Sequence, residues 1–219
     1  MSSCGGDTLT SVGSYAALGD SFTAGAEAVD AVRPWPDEVA KSLALLRSDF
    51  RYDNLGRAGA RSDDIVAFQL DRAIYLRPEL ISVVAGANDV LLSTRPDIAL
   101  YTDNLSRVLS RLAVELPDSK LMTATTPNFG RFLLRHPRSR RRLQEGLEDM
   151  NAATRRVAAE LGVTCIELAA HPRSLRRENF SEDAIHPSAQ GRDFAARVVA
   201  QTLEQSLGIR VRPSAQTVG

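Results

Sequence analysis

The sequence predicts an α/β domain built on a five-stranded parallel sheet with helices covering both faces. Three observations predict it. Short apolar runs alternate with longer segments whose apolar residues recur every three or four positions. The run "ELISVVAG" (Glu79–Gly86) is apolar at nearly every position, as a strand buried on both faces must be. The chain of 219 residues suits one such domain with a substantial core, and it contains no internal repeat, low-complexity tract or interdomain linker.

In chain order, "SYAAL" (Ser14–Leu18) reads as the first strand. "PDEVAKSLALL" follows as a helix, with Pro36 suited to its first turn and Val39, Leu43 and Leu46 on one face. "FRYDNL" (Phe50–Leu55) is a second, weaker strand. Ser62 is placed to cap a helix whose first turn carries Asp63 and Asp64, both favourable against the helix dipole. After the third strand comes a long helix from about Asp97 to Leu116, striped by Tyr101, Leu105, Val108 and Leu112. "SKLMTATT" is the fourth strand, and a helix from about Arg140 to Leu161 stops at Gly162. "VTCIEL" is the fifth strand, and a last helix opens after Pro187 with Ser188 as its cap and runs to about Leu207. Residues 14–208 thus read as one domain, between a flexible start (1–13) and a frayed tail (209–219). Right-handed crossovers favour the flavodoxin-like strand order, in which ligands bind beyond the carboxyl ends of the strands.

Lys plus Arg and Asp plus Glu balance at 27 each, so charge favours neither nucleic acid nor an anionic membrane surface as partner. No apolar stretch approaches the roughly 20 residues that span a bilayer, and the first residues lack the pattern of a secretory signal, so the expected location is cytoplasmic. Cys4 and Cys165 belong to no metal or redox spacing and read as an exposed thiol and a small core residue.

The strand ends carry the chemistry. Gly19-Asp20-Ser21 follows the first strand, "NLGRAGARS" the second, "GAND" the third, and "SEDAIHPS" lies between the fifth strand and the last helix. A serine hydroxyl needs a base within hydrogen-bond reach, and the base needs a partner that fixes its tautomer. His186 can be that base and Asp183, three residues earlier, its partner. His136 and His171 also precede a proline, but Leu133 and Leu168 occupy the place of the carboxylate, so both read as surface-loop residues. The oxyanion of acyl transfer needs preorganised donors. The Ser21 N–H, a glycine N–H in the second block and the Asn88 amide can supply them, with Gly56 and Gly59 both available in that block. Asp20 and Asp89 read as loop braces rather than reacting groups. Trp35 reads equally as a wall of the site mouth or an aromatic anchor.

"GDS", the Gly59 loop, "GAND" and "DAIHP" together resemble the four sequence blocks of the SGNH hydrolases, the GDSL-type esterases and lipases. The resemblance runs in the family's order from about Tyr15 to Leu207. It implies a flavodoxin-like three-layer α/β/α sandwich, a serine-dependent esterase, no metal and no cofactor. It assigns the nucleophile to Ser21, the rest of the triad to His186 and Asp183, and the oxyanion hole to Ser21, Gly59 and Asn88, with Gly59 aligning better than Gly56. The expected substrate is a small-molecule ester. Acyl transfer to an alcohol or amine would use the same residues. A metal-dependent phosphoesterase is disfavoured because only one histidine is well placed, and a non-catalytic binding module because no block is incomplete. Neither Gly-x-Ser-x-Gly around Ser21 nor a nucleotide-binding glycine motif is present. The basic run "RFLLRHPRSRRR" (Arg131–Arg142) follows the fourth strand, where substrate should enter, and suggests an anionic or carrier-linked substrate.

Overall fold

Alternation within β1 (Ser14–Gly19) sets up the layers. All its residues are buried, yet Ala16 and Leu18 enter one apolar cluster while Tyr15 and Ala17 enter another. Period-two geometry sends neighbours to opposite faces, so a strand apolar throughout needs cover on both sides. The structure, a computed structural model, describes residues 9–25, 33–133 and 136–212.

The sheet has five strands in the order β2-β1-β3-β4-β5, all parallel. The remaining strands are β2 (Arg51–Asn54), β3 (Leu80–Val84), β4 (Lys120–Ala124) and β5 (Thr164–Ile166). On one face, α2 (Trp35–Ala44) and α9 (Ala189–Leu207) pack over Tyr15, Ala17, Leu80 and Met122 through Val39, Leu43, Val199 and Leu203. On the other face lie α4 (Leu70–Leu76), α6 (Ile98–Glu115) and α8 (Pro137–Leu161), with Leu70, Leu109, Leu112 and Leu147 against Ala16, Leu18, Ile81 and Val83. This is the expected three-layer sandwich with flavodoxin-like strand order.

Short helices sit at the carboxyl edge of the sheet: α1 (Ser21–Ala24), α3 (Ser62–Asp64), α5 (Ala87–Leu91) and α7 (Gly130–Leu133). A π-helical turn, Ile65–Gln69, joins α3 to α4. Caps close several helices, the expected Ser188 and Gly162 among them. The Asp97 carboxylate accepts from Leu100 N–H at 2.9 Å and the Ser188 hydroxyl from Gly191 N–H at 3.1 Å. Gly162 ends α8 in the left-handed region, at φ 65°.

Ser62 departs from its expected role. It is the first residue of α3, and Arg61 holds the cap position. The Ser62 N–H and hydroxyl both donate to the Asp89 carboxylate, at 3.0 and 2.6 Å, because a largely buried carboxylate is a stronger acceptor than a local backbone group is a competitor. The tail also departs from expectation. Thr10 forms a parallel bridge with Ile209, and Ile209 and Val211 are buried in the α2/α9 cluster, so apolar burial holds the first residues of the segment that composition alone marks as frayed. Val12 is buried too, so order begins before residue 13; Cys4 lies outside the described residues. The α8 helix opens at Pro137, three residues before the expected start. Among the described residues, no helix is long and apolar enough to cross a membrane.

Candidate active site

β1 ends at a glycine for a steric reason. A Cβ on Gly19 would lie 2.2 Å from the Val84 carbonyl oxygen and 2.3 Å from the Thr23 hydroxyl. Asp20 then caps α1: its carboxylate accepts from Phe22 N–H at 2.9 Å, and its carbonyl accepts from Thr23 and Ala24 N–H. This braces Ser21 at the first position of α1, where a backbone N–H has no intrahelical acceptor. The Ser21 side chain stands at the sheet edge and is 9% exposed.

His186 comes from the other end of the chain. Its Nε2 lies 3.1 Å from Ser21 Oγ, and its Nδ1 lies 2.6 Å from Asp183 Oδ2. The turn that presents it is tight. Ala184 adopts φ 61°, unusual for a residue with a Cβ. Ser181 N–H donates to the His186 carbonyl at 2.8 Å, and Phe180 and Pro187 form an antiparallel bridge. Asp183 Oδ1 accepts from the Ser181 hydroxyl (2.6 Å) and from the N–H groups of Ile185 (2.9 Å) and His186 (3.0 Å). Partial burial alone would raise the pKa of this carboxyl, but the bonds from His186, Ser181 and the backbone outweigh it and hold the pKa well below the usual range. Asp183 is therefore a fixed anion beside the imidazole.

The second and third blocks are tied to this edge. Arg57 N–H donates to the Gly19 carbonyl at 3.1 Å, joining the glycine-rich loop to the turn before Ser21. The two candidate glycines now differ. Gly56 N–H donates to Asn54 Oδ1 at 3.0 Å, and a Cβ there would be 2.6 Å from Ala24 N. Gly59 sits at φ 77°, and a Cβ there would meet nothing within 4 Å. Gly59 faces open space in a conformation that favours glycine. Asn88 is buried, and its amide donates to the Ala60 carbonyl at 3.0 Å, which leaves its second N–H for a ligand. The Ser62–Asp89 bonds lock the Gly59 loop to α5, and Asn104 Nδ2 supports the Ser62 hydroxyl at 3.1 Å. Asp89 and Asp20 thus act as braces in the geometry. Burial raises the pKa of both, that of Asp20 to about 7.

Trp35 packs as an aromatic anchor and also borders a cavity near the site. It is buried in the α2/α9 cluster and lines an apolar cavity of about 70 Å³ with Phe22, Phe129, Leu168, Pro187 and Phe194. Phe22 and Pro187 directly follow Ser21 and His186 in sequence. The Phe22 ring, which lines the cavity, lies 6.0 Å from that of His186. His171 is half-buried and packs edge-on against Phe194 at 4.8 Å, whereas His136 is exposed. The Cys165 thiol packs at the margin of the core, and burial pushes its pKa up to about 11. Among the described residues, no group of three or more His, Cys, Asp or Glu is arranged to hold a metal ion.

Gln69 carries no motif and was not expected at this edge. Its side chain is buried and bonds both the N–H and the carbonyl of Gly19.

A parallel sheet edge that joins a serine, a histidine and a carboxylate in one hydrogen-bonded row defines the class of serine hydrolases. Residues 17–194 match the GDSL-like lipase/acylhydrolase family, and the chain belongs to that family of serine ester hydrolases. No curated protein matches the chain. Among solved structures it resembles a lipase/acylhydrolase from Enterococcus faecalis, with 20% identity and a TM-score of 0.70, over 87% of this chain and 95% of that one. It also resembles an acetylxylan esterase from Geobacillus stearothermophilus, with 15% identity and a TM-score of 0.73, over 94% of this chain and all of the other. At these identities the likeness is one of fold.

Proposed function

We propose that the protein hydrolyses the carboxylic ester of a small molecule through an acyl intermediate on Ser21. The observation that carries this reading is the unbroken row from Ser21 Oγ through the His186 ring to Asp183, at 3.1 and 2.6 Å. His186 Nε2 takes the hydroxyl proton as Ser21 Oγ attacks the carbonyl carbon. Asp183 accepts from Nδ1–H and stabilises the imidazolium that forms. The oxyanion is received by the N–H groups of Ser21 and Gly59 and by the Asn88 amide. Collapse breaks the ester C–O bond, and His186 returns the proton to the departing alkoxide. A water then repeats the sequence on the acyl-serine and frees the acid.

The apolar cavity beside Phe22 supports a short apolar acyl group as the acid part of the substrate. The anionic-substrate reading has narrower support. Arg131 lies over the Phe132 ring, Arg141 pairs with Glu145 at 2.7 Å, and Arg142 donates to the Ser93 carbonyl. Among the described arginines of that run, Arg141 alone is paired with a carboxylate, and Arg131, Arg138, Arg140 and Arg142 keep a positive charge that an anionic substrate could meet.

A fluorophosphonate probe should label the wild type and spare Ser21→Ala, and chromogenic esters of graded chain length should show best turnover with short acyl groups. Equal labelling of the two proteins refutes the assignment. Product analysis with added alcohols or amines distinguishes hydrolysis from acyl transfer.

A further inference from the structure

We propose that Gln69 is a positioning residue for the Ser21 hydroxyl, acting through the backbone of Gly19; this rests on Ser21 being the nucleophile. Gln69 Oε1 accepts from Gly19 N–H at 2.8 Å, and Gln69 Nε2 donates to the Gly19 carbonyl at 2.9 Å. A primary amide offers donor and acceptor side by side, so it copies one rung of a strand pairing where strand pairing fails. On the β2 side, registered pairing of β1 stops at Ala17 opposite Asn54. Beyond it, Gly19 carries the last strand position before the turn to Ser21.

The clamp works away from water. Gln69 is 1% exposed and neighbours the fully buried Leu70 and Ala73 in the cluster under β1. In such surroundings each unmade hydrogen bond is costly, so the amide and the Gly19 backbone hold one relative geometry. The Gly19 carbonyl also receives Arg57 N–H, and the close approach of Val84 and Thr23 blocks escape on the remaining side. The backbone of Gly19, two residues before Ser21, is thereby held on several sides, and the Gln69 amide grips both its N–H and its carbonyl, which lie in successive peptide groups.

Gln69 reaches this position because of the π-helical turn. It is the last residue of Ile65–Gln69, and the inserted residue changes the phase of the helix. Consecutive residues Gln69 and Leu70 both point into the core as a result, while Phe68 is left exposed. The same segment continues from the Gly59 loop through α3, so one element carries a proposed oxyanion donor at its start and the clamp on the nucleophile turn at its end.

Two variants test this. Gln69→Leu keeps the bulk and removes both bonds. Gln69→Glu keeps the shape, and its carboxyl matches the donor–acceptor pair of the amide only while protonated. Turnover is measured per active site counted with a fluorophosphonate, alongside KM and the thermal midpoint, between about pH 5 and 9. Misplacing a reacting group by about 1 Å costs on the order of 100-fold. Gln69→Leu should therefore lose about 10- to 100-fold in kcat, with KM within about twofold. The kcat of Gln69→Glu relative to wild type should fall as pH rises and the new carboxyl ionises. Leu70→Ala, a core truncation next door, should lower the midpoint and leave kcat per active site unchanged. If both Gln69 variants match wild-type kcat per active site at every pH, the positioning role is overturned whatever the midpoints show. If Gln69→Leu does not fold, Gln69→Glu decides alone, and a flat ratio overturns the role. Labelling of Ser21→Ala equal to wild type would instead remove the serine assignment on which the inference stands.

Discussion

Replacing Asp20 by asparagine should stabilise the protein, and by more as pH rises. The Asp20 side chain is 1% exposed. Burial, opposed by the Phe22 N–H bond and reinforced by the charge of Asp89, raises its pKa from 3.8 to about 7. The folded protein therefore holds a proton that the unfolded chain releases between about pH 4 and pH 7. The stability associated with this group is complete below the lower value and is lost as pH climbs to the upper one. A difference of about 3 units at roughly 1.4 kcal/mol each amounts to about 4 kcal/mol above neutrality. Asparagine keeps an oxygen for Phe22 N–H, is an equally good helix cap, and cannot ionise. The midpoint of Asp20→Asn should match wild type near pH 4 and exceed it by about 10 °C near pH 8, at roughly 2–4 °C per kcal/mol for a chain of this size. Thermal unfolding of both proteins across that range is the assay. A gap that stays constant with pH, or a variant less stable than wild type at pH 8, refutes the reasoning.

Other consequences concern the site. Asp183→Asn preserves shape but cannot hold the imidazolium as an anion does, so kcat should fall about 10³- to 10⁴-fold with little change in KM; steady-state kinetics read it directly. Asn88→Ala removes one proposed oxyanion donor and should cost about 10²- to 10³-fold in kcat, measured with the same ester. In Gly191→Ala the added Cβ would lie 2.0 Å from the Asn179 carbonyl oxygen, which receives Ser188 N–H, so the histidine loop must shift. That variant should lose both thermal stability and fluorophosphonate labelling.

Much of the fold is legible because its signals are local and repeated. A strand buried on both faces has to be mostly apolar, and β1, β3 and β4 are, with Ser14, Ser82 and Thr123 the buried polar exceptions. The candidate site residues are legible for a related reason: Ser21, Asp183 and His186, and the proposed oxyanion donors Gly59 and Asn88, each stand just past an apolar run or just before a helix. What escapes the sequence depends on distant partners. Ser62 looks like a cap until Asp89, 27 residues later, draws its hydroxyl away. Gln69 sits in an ordinary amphipathic stretch, and nothing in "DDIVAFQLDRA" marks an inserted helical residue. Ala184 carries a left-handed backbone that composition would assign to glycine or asparagine. Ile209 and Val211 do carry a signal, since they alternate with Arg210, but two apolar residues are too few to separate a packed segment from a loose one.

The bridge between Thr10 and Ile209 has a practical consequence. Thr10 leads into β1 at the amino edge of the sheet, and α9 returns from the histidine loop to that same edge. Both ends of the folded domain thus leave the molecule on the side facing away from Ser21. A fusion partner or solid support that replaces the residues before Thr10 or after Arg212 would start from the side of the sheet away from the hydroxyl.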